Sequence, residues 1–65
     1  MIVDYEIHSG GHRVSVRRAP SALVALLDHL RSLGCRDADV IRLGNNAVAW
    51  RGAVYRAAPR EEPES

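Results

Sequence analysis

Cysteine is nearly absent from this sequence, as are the other features that usually reinforce a very small protein. A single cysteine among 65 residues excludes an internal disulfide. The three histidines belong to no metal-ligand motif, so no structural metal is expected. A chain of this length buries only about 60% of its unfolded surface, and its stability is marginal without reinforcement. We therefore expect association with a second copy or with a partner protein to supply it.

Long apolar runs are also missing. No stretch approaches the ~20 residues that a membrane-spanning helix needs, so no membrane partner is expected. The first residues, MIVDYEIH, lack the basic segment and long apolar stretch of a signal peptide. We expect a cytoplasmic protein, because a lone thiol is usual in that reducing compartment.

Lysine and phenylalanine do not occur, and the aromatic side chains are limited to one tryptophan and two tyrosines. All nine basic residues are arginine, yet the net charge is only +1. This excess falls short of the strong positive field typical of nucleic-acid-binding proteins. Three aromatic residues also leave little surface on which bases could stack.

The first part of the chain predicts a β-hairpin. Residues 3–8 and 12–17 alternate between apolar and polar side chains, which is the period of a half-buried strand. The Gly-Gly pair at 10–11 separates the two runs and suits a two-residue turn with positive φ. This turn predicts that Ile7 pairs with Val14 and that all apolar side chains of the hairpin lie on one face.

A helix is predicted between the two halves of the chain, within APSALVALLDHLRSLG. Pro20 suits its first position, and Ser21 is an alternative cap. Gly34 is placed to end the helix in the left-handed conformation, and Cys35 is then expected to contact Leu30 in the last turn of the helix. A stripe of leucines at helical spacing is expected to face the core: Leu23, Leu26, Leu27, Leu30 and Leu33.

The second half repeats the hairpin pattern. A turn at Asn45 and Asn46 predicts that Leu43 faces Val48 across the pair. Gly52 then marks either a bulge in one long fourth strand or a second tight turn, and we favour the bulge. Residues 59–65 contain two prolines and three glutamates, and we expect a disordered acidic tail.

These elements predict a single α+β domain over residues 1–58 with the order β-β-α-β-β. The two hairpins form one antiparallel sheet, and the helix packs on one of its faces. A right-handed crossover through the helix places the first strand between the second and third, which gives the strand order 2-1-3-4. Nothing in the sequence is left over to cover the other face of the sheet.

Catalytic and cofactor sites are not indicated by the sequence. His8 pairs with Arg13 in the predicted hairpin, and His12 points to the opposite face, so the two imidazoles cannot share a metal. Cys35 follows the C-terminus of the helix, the wrong end of the dipole to lower the pKa of a thiol. No glycine-rich phosphate loop is present. We therefore expect no enzymatic activity, no metal and no cofactor.

Two kinds of partner remain. The first is nucleic acid, bound by an arginine-rich open sheet face made of Arg13, Arg17, Arg42 and His8. We do not favour it, because acidic residues dilute the charge of that face and no aromatic platform is expected there.

The second partner, which we favour, is protein. The predicted fourth strand is rich in small residues and is an edge to which another backbone can add. The residues expected at this dimer edge are Ala47, Ala49, Arg51, Ala53 and Tyr55. The sequence therefore predicts a non-catalytic interaction module, homodimeric, that acts by occupying a surface of an unknown protein partner. Accessory or inhibitor proteins of mobile elements are one group that works in this way.

Overall fold

The computed structural model describes residues 2–60 and contains five strands, one α-helix and one 3₁₀ turn. The elements follow one another along the chain as β1 (Val3–Ser9), β2 (His12–Ala19), α1 (Ala22–Ser32), the 3₁₀ turn (Asp37–Asp39), β3 (Ile41–Arg42), β4 (Ala47–Trp50) and β5 (Ala53–Pro59). All strands belong to one antiparallel sheet, and α1 packs on one of its faces. The α+β class is therefore confirmed.

The strand order is β2-β1-β5-β4-β3 rather than the predicted 2-1-3-4. β2 and β3 lie at the two edges, and α1 packs over β2, β1, β5 and β4. From the far edge the chain returns through two hairpins, so that β5 pairs with β1. The prediction was wrong because it placed the strand after the helix beside β1 and took β4 and β5 for one strand.

The turn between β4 and β5 explains that error. Arg51 and Gly52 have φ angles of 52° and 78°, and Trp50 pairs with Ala53 on either side of them. Gly52 thus belongs to a tight two-residue turn, and the favoured bulge was wrong. The non-glycine residue in this turn, Arg51, places its guanidinium 4.8 Å from the centre of the Trp50 ring, which is a cation–π contact.

The first hairpin has the predicted turn but not the predicted register. His8 pairs with Arg13 as expected, whereas Ile7 pairs with Ser15 because Val14 is an extra, bulged residue. Without this bulge, the alternation of β2 would turn Arg18 towards the helix and Ala19 towards solvent. The bulge instead buries the small Ala19 to 3% exposure where the chain enters α1.

The second hairpin is also displaced by one residue. The N–H of Leu43 donates to the carbonyl of Ala47 at 3.0 Å, so residues 44–46 form a three-residue loop. Ile41 therefore pairs with Ala49, and Arg42 pairs with Val48. The predicted two-residue Asn-Asn turn was wrong, and the apolar side chains of β3 face away from α1 as a result.

α1 is capped at both ends by the sequence signals around it. The Ser21 hydroxyl accepts a hydrogen bond from the N–H of Val24, so Ser21 is the cap and Pro20 precedes it. At the other end, Gly34 has a φ of 89° and the N–H of Cys35 donates to the carbonyl of Leu30. This is the predicted Schellman ending, with both Leu30 and Cys35 in the core.

The core lies between α1 and the inner face of the sheet. Its buried apolar residues are Ile7, Ala19, Ala25, Leu26, Leu30, Cys35, Val48 and Ala57. The helix face turned to the core differs from the predicted leucine stripe, because Ala25 is buried and Leu33 is exposed.

The described structure extends slightly further than the predicted domain. β5 runs to Pro59, and the N–H of Arg60 donates to the carbonyl of Asp4 at 2.8 Å. The remaining residues of the predicted acidic tail, 61–65, lie outside the described residues. Within the described residues, no helix is long and apolar enough to cross a membrane.

Candidate interaction surface

The surface of the sheet opposite α1, here called the open face, is not covered by any described part of the chain. Strand alternation and the observed register define its members. They are Asp4, Glu6 and His8 of β1; Arg13, Val14, Val16 and Arg18 of β2; Ile41 of β3 and Leu43 after it; Ala47 and Ala49 of β4; and Val54, Arg56 and Ala58 of β5. None of these residues is buried.

One side of the open face is aliphatic. It is formed by β3, β4 and the start of β5, and we call it the apolar half: Ile41, Leu43, Ala47, Ala49 and Val54. Ile41, Leu43 and Val54 are 63%, 54% and 42% exposed. The two alanines lie between them in β4 and keep the surface flat. Because these side chains are already about half covered, covering the rest of one of them stabilises a complex by about 1 kcal/mol, roughly half the value for a fully exposed aliphatic side chain.

A basic row adjoins the apolar half. It consists of Arg56 of β5, His8 of β1 and Arg13 of β2, which face one another in the register of the three strands. Glu6 is the acidic neighbour of this row. One oxygen of its carboxylate lies 3.6 Å from Nε2 of His8 and 3.7 Å from Nη1 of Arg13. Arg56 forms no ion pair with any carboxylate of the described residues.

An open cleft of about 300 Å³ lies where the apolar half meets the basic row. It is lined by His8, Ser9, Gly10, Gly11, Val54 and Arg56. The two glycines have φ angles of 61° and 80°, as a tight turn between β1 and β2 requires. Because glycines carry no side chains, this end of the cleft is open to a ligand.

The four residues of the predicted nucleic-acid face do not lie together. His8 and Arg13 are on the open face, but the bulge turns Arg17 to the helix side, where it donates to Ser15 and Ser32 at 3.2 Å. Arg42 donates to the carbonyl of Gly44 and the side chain of Asn45. The proposed grouping was wrong because both hairpins were assigned one residue out of register.

The aromatic residues lie on the helix side of the sheet. Tyr5 and Trp50 pack against the core. Tyr55 pairs with Val48 on the helix side, and its ring lies 5.9 Å from that of His29. The open face therefore offers no aromatic side chain among the described residues.

The predicted dimer edge is not an edge. β4 pairs with β3 on one side and β5 on the other, and β5 pairs with both β4 and β1. Ala47 and Ala49 lie on the open face within an interior strand, and Arg51 lies in the turn. Ala53 and Tyr55 belong to β5 and point to the helix side. Their backbones are occupied within the sheet, so none of the five marks a site for strand addition.

The titratable residues of the core do not form a reactive group. Burial raises the pKa of the Cys35 thiol, with Asp39 and Asp37 adding to the effect, so the nucleophilic thiolate is disfavoured. Burial lowers the pKa of His29, and nearby Arg17 lowers it further. Among residues 2–60, no group of three or more His, Cys, Asp or Glu side chains converges as a metal site requires.

Several residues of the open face were missed by the sequence analysis. Ile41 and Leu43 alternate as in a strand that faces the core, and Gly44 before the two asparagines is the signal for a longer loop that turns them outward. Val54 and Arg56 follow the ambiguous Gly52, and an Arg-Gly pair between two apolar runs is the turn signal that places them on a separate strand. The sequence holds no comparable signal that Val14 and Val16 point outward. Their direction depends on the bulge, which in turn depends on the burial of Ala19 at the end of β2.

Comparison of the chain with protein-family models, curated proteins and solved structures found no match.

Proposed function

We propose that this protein is a non-catalytic interaction module that binds another protein through its open face. The observation that carries the proposal is the exposure of Ile41, Leu43 and Val54 on one side of a sheet whose other side is the core. A contiguous aliphatic surface of this kind is typical of interaction sites. Charged residues beside it supply the polar rim that such interfaces have.

The proposed surface is the face of the sheet and not one of its edges. β3, at one edge, is only two residues long. β2, at the other edge, is bulged and carries Arg13 and Arg18, both of which oppose the addition of a further strand. A partner that packs on the open face avoids both obstacles, because its contacts are made by side chains.

The experiment is a capture from extract of the source cells with matched variants. Ile41→Asp and Leu43→Asp place a charge in the apolar half, whereas Val24→Asp places the same charge on the exposed outer side of α1. We expect one protein to be retained by the wild type and by Val24→Asp, and to be lost with both open-face variants. The retained protein is then purified, and its binding to the four chains is measured by calorimetry.

Two results contradict the proposal. One is a purified partner that binds all four chains with equal affinity, since the apolar half would then be irrelevant. The other is retention that disappears on nuclease treatment, which would show that nucleic acid is the direct ligand. In that case Arg56 and Arg13 of the open face would be the residues to test next.

A further inference from the structure

The cleft beside Gly10 and Gly11 has two chemically different walls. Val54 supplies an aliphatic wall that continues the apolar half. Arg56 and His8 supply a basic wall, and they are cross-strand partners. At the glycines, a Cβ placed on either residue meets no atom within 4 Å, so the space above them is free. The cleft therefore suits a side chain that has a short apolar stem and an acidic end.

The charges around the cleft favour a carboxylate. Glu6 shows that a carboxylate is attracted to this row, because one of its oxygens lies between His8 and Arg13. Arg56, at the other end of the row, has no such counter-ion among the described residues. A guanidinium binds a carboxylate through two parallel hydrogen bonds, which no other basic side chain can do.

The position of the apolar half indicates what flanks that carboxylate. Ile41 and Leu43 are two strands away from Arg56 in the sheet order. Two strand spacings amount to about 10 Å. An extended segment covers this distance in about three residues, at roughly 3.3 Å for each. A bound segment with its acidic residue in the cleft therefore places an aliphatic residue some three positions away over Ile41 and Leu43.

We infer that the cleft binds an aspartate or glutamate side chain of the partner protein, flanked by aliphatic residues that cover the apolar half. This inference rests on the proposed function and adds the chemistry of the partner to it. The carboxylate accepts hydrogen bonds from Arg56 and lies beside His8, while its stem contacts Val54.

A nucleic-acid phosphate fits this surface less well. Asp4 and Glu6 lie in β1 beside the row and repel a chain of phosphates. The adjoining apolar half contains only aliphatic side chains, whereas bases bind to single-strand-binding surfaces by stacking on aromatic rings. A protein segment with one acid and neighbouring aliphatic residues complements both parts.

The test is a selection from a displayed library of random peptides on the immobilised full chain. We expect the selected peptides to share an acidic residue with an aliphatic residue about three positions away. In synthetic versions, replacement of that acid by its amide should weaken binding by about tenfold or more, the loss expected for a hydrogen bond to a charged group. Arg56→Gln should produce a similar loss, and Arg36→Gln, which removes the same charge from an exposed site outside the sheet, should not.

The two changes are then combined. If Arg56 binds the selected acid, Arg56→Gln should have little further effect on the peptide that carries the amide, because the partner group is already gone. His8→Gln serves as a second variant, expected to act in the same direction. Circular dichroism of each variant shows whether the fold is retained.

The outcomes separate this inference from the proposed function. Selected peptides that lack an acid, or that bind Arg56→Gln as well as the wild type, overturn the carboxylate site. If Leu43→Asp still abolishes their binding, the interaction surface stands without it. A library that yields no binding peptide counts against both. Binding of a single-stranded oligonucleotide at micromolar concentration, lost in Arg56→Gln, would replace the protein partner with nucleic acid.

Discussion

At the scale of single residues, His29 is the polar side chain that the core accommodates. His29 is only 7% exposed. Its Nδ1 has no hydrogen-bond partner within the described part of the chain. The ring packs against Tyr55 of β5, and Arg17 of β2 contributes a positive charge nearby. All these features favour the neutral imidazole.

The stability of the protein should therefore fall in mild acid. Burial, and then the charge of Arg17, hold the pKa of His29 below its usual value of 6.5 in the folded state. Between the two pKa values, the unfolded chain binds a proton that the folded chain does not. The free energy of unfolding is thus highest above pH 6.5 and decreases as the pH falls, until the folded state is protonated as well.

Urea unfolding between pH 8 and pH 5 measures this effect. His29→Phe keeps an aromatic ring against Tyr55 and should remove most of the decrease in the free energy of unfolding, with His29→Gln as the alternative if the larger ring disturbs packing. His12→Gln is the control, since His12 is exposed and the dependence should persist. An unchanged slope in both His29 variants would show that another group is responsible.

At the scale of secondary-structure elements, local signals were reliable and register was not. Ser21 and Gly34 delimit α1 through contacts within a few residues, so the sequence alone could place its ends. Register depends on which residue must be buried at the far end of a strand. In the first hairpin, the bulge at Val14 shifts the register so that Ala19 is buried. The alternation of apolar and polar residues in β2 does not by itself reveal this shift.

The turn between β4 and β5 allows a matched test of backbone geometry. Gly52 has a positive φ and Gly44 does not, while a Cβ at either position meets no atom within 4 Å. Gly52→Ala should lower the free energy of unfolding by about 1–2 kcal/mol, because an L side chain resists the left-handed region. Gly44→Ala should be neutral or stabilising by about 0.4–1 kcal/mol. Urea unfolding distinguishes them, and equal effects would argue against the turn described here.

At the scale of the whole molecule, the sequence alone predicts the α+β class, but it does not predict which side chains form the interaction surface. Two hairpins and one helix leave one uncovered sheet face in either strand order. Which side chains occupy that face changes completely with a shift of one residue. That is why His8 and Arg13 were placed on it, whereas Ile41, Leu43 and Val54 were not.

The isolated protein is also expected to form a homodimer through the open face. A stable interface needs about 800 Å² from each partner, which is close to one sixth of the total accessible surface of 4723 Å². We expect the open face to contribute most of this area, so that two copies cover each other's apolar half when no partner is present. The predicted homodimer is thus retained with a different contact surface.

Sedimentation over a range of micromolar concentrations measures this association. The wild type and Val24→Asp should form dimers as concentration rises, and Leu43→Asp should remain monomeric because a dimer would bury its charge. A selected peptide that binds the open face should dissociate the dimer. If the wild-type chain stays monomeric at every concentration, the prediction of a homodimer is wrong, and the apolar half binds only a different protein.

The central position of β5 has a consequence for how the protein is made. This strand joins β1 to β4, and it pairs residues as distant in sequence as Tyr5 and Pro59. It is also the last of the described elements to emerge from the ribosome. Until β5 has emerged, nothing joins the β2-β1 pair to the β4-β3 pair, and the core residue Ile7 lacks its neighbour Ala57. Folding of the complete sheet must therefore wait for the end of β5, and its dependence on such distant pairs predicts slow formation for so short a chain.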